Sequence, residues 1–162
     1  MKTERRLLIM AKNDSDSDRL KIDKTTRSKY NEILDREGPL NKKNKKFSKD
    51  IFILALAFGY DNNINIPLEN KDSLIRSENF GSDLQSLVNA LSVTESEEGV
   101  EILSKSPSDR YVFSEEYANA GLDLLYSEYM GHEEEFIEKL RLKIIKLNEN
   151  DKILKKLEEL NL

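Results

Sequence analysis

The stretch IFILALAF, residues 51–58, constrains this chain more than any other. Eight consecutive apolar residues carry neither the alternation of a half-buried strand nor the single stripe of a surface helix. Leu and Ala favour helix, and Ser48 can start one, so the pattern predicts a helix over about 48–59 that is apolar almost all round. Such a helix must be buried on most of its sides, which places it at the centre of the core. The run is far short of the ~20 residues that a membrane span needs. The N-terminal apolar stretch, Leu7–Ala11, is shorter still, and neither it nor the run at 51–58 suits a signal peptide or an anchor. The expected setting is cytoplasmic.

The surrounding pattern is mostly helical. RLKID (19–23) alternates apolar Leu20 and Ile22 with polar neighbours and reads as a short strand. Asp23 can cap a helix over about 24–36, stopped by Gly38 and Pro39. NKKNKK (41–46) is a lysine-rich loop, and YDNNINIPLENKD breaks the central helix with turn residues. SLIR (73–76) can form a short strand, and a third helix starts near Ser82 with Leu84, Leu87, Val88 and Leu91. After a linker with a helical turn pair at 97–104, Ser108 is expected to cap a long helix ended by Gly131. From 133–148 and 151–161 apolar residues recur at three-to-four spacing, as two amphipathic helices or one. The expected architecture is mainly α: a tail over 1–18, a compact helical core domain over 19–131 with one or two short strands, and amphipathic C-terminal helices over 132–162.

In the long helix, EEYANAG (115–121) places Asn119 and Gly121 mid-helix. An interior Gly costs about 1 kcal/mol relative to Ala, so its presence calls for a contact that repays it. Small Ala118, Ala120 and Gly121 let another backbone approach, and Asn119 can bond a neighbouring main chain.

Chemistry is sparsely written. There is no G-x-x-x-x-G-K-[ST] loop and no G-x-G-x-x-G turn, so no nucleotide cofactor is expected. With no Cys and a single His, His132, the common zinc compositions are excluded. The acidic runs ESEE (95–98) and EEE (133–135) read as solvated, dipole-favoured helix ends. Asp61, Glu69 and Lys71 offer the acid-x-lysine spacing of some metal nucleases, but Pro67 and the asparagines beside it make a poor strand. Magnesium-dependent cleavage is not expected.

Charge is uneven. Residues 1–50 hold 15 Lys+Arg against 9 Asp+Glu, whereas the remainder holds 11 against 22. A basic N-terminal half suits contact with a polyanion. The candidate DNA contacts are Arg19 and Lys21 on the strand, Lys42, Lys43, Lys45 and Lys46 in the loop, and Lys49 at a helix start. Strand, helix, basic loop, helix is also the order of a ribbon-helix-helix module, so a homodimeric DNA-binding regulator paired through RLKID is the alternative.

Three stretches in order, GPLNKKNKKFSKDIFILALAFGYDNNINIPL, LVNALSVTES and EEYANAGLDLL, resemble the Dnd system-associated protein 4 family. The resemblance covers about residues 19–130. It implies a small, non-enzymatic protein of prokaryotic antiphage defence linked to DNA phosphorothioate modification, with DNA as the ultimate target. It also implies larger partner subunits that supply ATPase or nuclease activity. It brings no catalytic residue, and no role for the matching Glu116, Tyr117, Ala118, Asn119 and Gly121. The expected partner contacts are Tyr117, Asn119 and Gly121 on the long helix, and Phe136, Leu140, Ile144, Leu154 and Leu157 on the C-terminal helices.

Overall fold

A computed structural model describes residues 18–41 and 47–159. In chain order the elements are strand β1 (Arg19–Asp23), a 3-10 turn (Lys24–Thr26), α1 (Arg27–Asp35), α2 (Phe47–Asp61), β2 (Lys71–Arg76), a 3-10 turn (Ser77–Asn79), α3 (Gly81–Glu95), a 3-10 segment (Gly99–Ser104), α4 (Pro107–Tyr129) and α5 (Glu133–Glu159). The fold is mainly α, with one small antiparallel sheet.

The apolar run becomes the core of α2, with Ile51, Phe52, Ala55 and Leu56 almost wholly buried. Its end is a Schellman closure: Asn63 at φ 53 donates to the Tyr60 carbonyl, and Ile64 donates to the Gly59 carbonyl. The principal partner of α2 is α4, whose Ala118, Leu122 and Leu125 are buried against it in one continuous core. The α4 N-cap is Ser106, not Ser108: its side chain accepts from the Asp109 N–H, and Pro107 occupies the first turn, where a missing N–H costs nothing.

Asp23 ties the end of β1 both to the 3-10 turn after it and to the residues just before β2. Its buried carboxylate accepts from the Thr25 N–H and hydroxyl at 2.9 and 2.8 Å, and from the Glu69 and Asn70 N–H groups at 2.9 Å each. These donors, Asn70 first and Thr25 next, hold its pKa down at about 2.

β1 pairs with β2 of the same chain, Arg19 opposite Arg76 and Asp23 opposite Lys71. On its other side the Lys21 N–H donates to Glu115 of α4 at 2.8 Å. A ribbon-helix-helix dimer needs a second chain beside this strand. Here β2 lies along one edge of β1, and on the other the Lys21 N–H is taken by Glu115, so the strand formed by RLKID is paired within its own chain.

The C-terminal pattern forms one helix of 27 residues. Its first turns are anchored. Phe136 is buried, stacked on Phe58 at 6.3 Å and edge-on to Tyr129 at 5.2 Å. Glu133 accepts from Arg36 at 2.5 Å, and Lys143 donates to Asp61 of α2 at 2.6 Å.

Candidate functional site

Gly121 and Gly59 explain why glycine stands inside two helices. A Cβ built on Gly121 would lie 1.8 Å from the Ala55 carbonyl oxygen and 2.4 Å from the Gly59 nitrogen, and one on Gly59 would lie 2.1 Å from the Tyr117 carbonyl oxygen. The backbones of α2 and α4 cross in contact, and only glycine leaves room. Around this crossing EEYANAG works as a brace. Asn119 Nδ2 donates to the Ile66 carbonyl at 3.2 Å, while the Ile66 N–H donates to the Glu116 carbonyl at 3.1 Å. Tyr117 donates to Glu95 of α3 at 3.0 Å and meets Tyr60 edge-on at 5.3 Å.

Glu115 is the motif residue that sequence reasoning missed. It is 3% exposed, and burial pushes its pKa up to about 7 despite the Lys21 N–H and the nearby Lys71 and Lys21 charges. A glutamate beside a second glutamate, Glu116, gives no local sign of being buried. Gly59 carried a signal: Ala55 and Gly59 are small residues four apart, on one face of the helix.

The expected site residues fall into three groups. Tyr117, Asn119, Gly121 and Phe136 lie in the chain's own interior. Leu140 is half-buried and Ile144 is exposed, and both line an open groove of about 780 Å³. Leu154 and Leu157 belong to α5, but their side chains lie outside the described residues. The groove has α2 residues Ile53, Leu54 and Ala57 as its floor, with α3 (Leu87, Ala90) and α5 as walls.

Among the expected DNA contacts, Lys42, Lys43, Lys45 and Lys46 lie outside the described residues. Arg19 and Lys49 border one segment, Arg76–Phe80. Arg19 pairs across the sheet with Arg76, and Lys49 Nζ donates to the Phe80 carbonyl at 3.3 Å, beside the start of α3. Lys49 stands in the first turn of α2. Lys21 sits further along β1, its N–H held by Glu115.

The other chemical candidates are accounted for individually. Asp61 is paired with Lys143, the Glu69 N–H is bound to Asp23, and Lys71 faces Asp23 across the sheet. No group of three or more His, Cys, Asp or Glu residues able to hold a metal occurs among the described residues. His132 is exposed, 4.0 Å from Glu135. No helix among the described residues is long and apolar enough to cross a membrane.

Both the glycine crossing and the groove lie within residues 36–162, the span matched by the family model for DNA sulphur modification system-associated protein 4. The chain belongs to this family. No curated protein and no solved structure matches the chain. The family match includes α2 to α5 and the lysine loop, while β1 and all of α1 precede it. The association with a DNA sulphur modification system therefore applies to the part of the chain that builds the groove.

Proposed function

We propose that this chain is a non-enzymatic accessory subunit of a prokaryotic DNA-targeting antiphage assembly linked to DNA sulphur modification. In this reading the basic end around Arg76–Phe80 and the lysine loop touches DNA phosphate, and the groove together with α5 holds a larger ATPase or nuclease subunit. The observation that carries it is the open stripe of α2. A helix that the sequence makes apolar almost all round keeps Ala57 exposed and Tyr60 49% exposed, a face suited to cover by another protein. The family's association with a DNA sulphur modification system supports an assembly of this kind. The cations near the start of α3 supply a sequence-independent contact to a phosphate backbone.

Two measurements on the full chain test this. Fluorescence anisotropy on a plain and a phosphorothioate duplex, across a salt series, should show salt-sensitive binding that falls when Lys42, Lys43, Lys45 and Lys46 are changed to Glu. Co-expression with the large subunits of a DNA sulphur modification system should yield a stable complex. Absence of both DNA binding and complex formation would contradict the reading.

A further inference from the structure

The open groove has a distinctive charge pattern. Between Asp50 and Asp61 α2 carries no charged residue, and between Asp83 and Glu95 α3 carries none, in a chain that is 35% charged. These stretches are nevertheless accessible: Leu87 is 40% exposed, and Ala57 and Ala90 are exposed. Depletion of charge on an accessible apolar face is the composition of an interface centre rather than of a solvated surface. The α5 wall is different. Lys139, Lys143 and Lys146 stand at i, i+4 and i+7, so they form one ridge beside the groove-lining Leu140, Ile144 and Leu147; Lys143 is paired with Asp61, and Lys139 lies 3.8 Å from the exposed Glu135.

We propose that this groove binds an amphipathic helix of a partner protein, with its apolar face on α2 and α3 and a row of acidic side chains along the lysine ridge. The proposal rests on the accessory-subunit reading above and states the chemistry of the partner segment. Floor and walls come from three helices, the arrangement in which a helix docks through anchors at i, i+3, i+4 and i+7. The small Ala57 and Ala90 admit a backbone close to the groove. Charge selects against two other occupants. The charges nearest the chain's own Leu7–Ala11 are Arg5, Arg6 and Lys12, with Glu4 before them and Asp14 and Asp16 further along. A second copy's α5 carries the same lysine ridge on its apolar stretch, so like charges would meet.

The test uses the full chain and two fluorescein-labelled helical peptides of equal length and identical Leu-based apolar face, one edged with Glu and one with Lys. The Glu-edged peptide should bind at least about tenfold tighter, and Lys139→Glu with Lys146→Glu should reverse that preference. Leu87→Asp should weaken both peptides while leaving the thermal melt unchanged. Equal binding of the two peptides, no binding, or a preference that survives charge reversal overturns the proposal. So does a dimer in light scattering that Leu87→Asp dissociates, which assigns the groove to a second copy. Peptide binding that appears only after removal of residues 1–17 assigns it to the chain's own tail and overturns the proposal likewise. Co-purification with the large subunits separates the groove from the accessory role. A complex that persists in the Leu87→Asp variant overturns the groove and leaves the accessory role standing. Peptide selectivity without any complex retains the groove and removes the accessory role.

Discussion

The two sides of α2 make the most informative comparison in the molecule. Towards α4, Ala55 and Gly59 press against Gly121 so closely that a single methyl group has nowhere to go. Towards α3 and α5, Ile53, Leu54 and Ala57 border an open groove of about 780 Å³. The same apolar segment is thus closed by its own chain on one side and left open on the other. The difference teaches that hydrophobic content sets how much surface must be covered, whereas backbone-level fit decides which side the chain covers itself.

Substitutions on the closed side should have the largest effects. Gly121→Ala pushes a methyl into the Ala55 carbonyl and the Gly59 nitrogen, neither of which can rotate away. The expected cost is about 3 kcal/mol or more despite the better helix propensity of Ala, read as a shift of the urea midpoint. A loss below that of an ordinary surface change would show that the helices cross less closely. Asp23→Ala leaves the Thr25, Glu69 and Asn70 N–H groups without their acceptor, so the urea midpoint should fall, by less than in Gly121→Ala. Because the Asp23 pKa is depressed, its contribution is present above pH 4 and is lost as pH falls towards 2.

Glu115 has the opposite sign. Its folded pKa is raised from 4.5 to about 7, so the folded chain holds a proton that the unfolded chain releases, and stability falls as pH rises between those values. Gln at this position can still accept from the Lys21 N–H and carries no charge to bury. Glu115→Gln should flatten the stability profile between pH 5 and 7 and raise stability at pH 8 by about 1–2 kcal/mol. Thermal melts of both proteins at pH 5 and pH 8 measure this, and parallel profiles would refute it.

The smallest effect on the isolated chain belongs to the open side. Leu87→Asp should change stability by less than about 0.5 kcal/mol because Leu87 is already 40% exposed. A large loss in urea denaturation would mean that the groove wall serves the chain's own core.

Much of this organisation was legible in local sequence. The all-round apolar run, the strand RLKID, the Asp23 cap and the main-chain bond of Asn119 all follow from residue type and spacing. The start of α4 was displaced by one cap, because Ser106 and Ser108 are chemically equivalent and only Pro107 distinguishes them. The pairing of β1 with Lys71–Arg76 was hidden, since nothing local relates segments some fifty residues apart. The burial of Glu115 was hidden for the same reason. The groove was unreadable for a different one: an apolar helix face looks alike in sequence whether its own chain or another protein covers it.

Hydrogen exchange of the full chain, alone and in complex with the large subunit of a DNA sulphur modification system, tests the central claim most directly. Slowed exchange on binding over residues 84–94 of α3 and 140–147 of α5 is the predicted result, because these segments wall the open side of α2. Protection confined to β1 and β2, with both groove walls exchanging as fast as in the free chain, would contradict it.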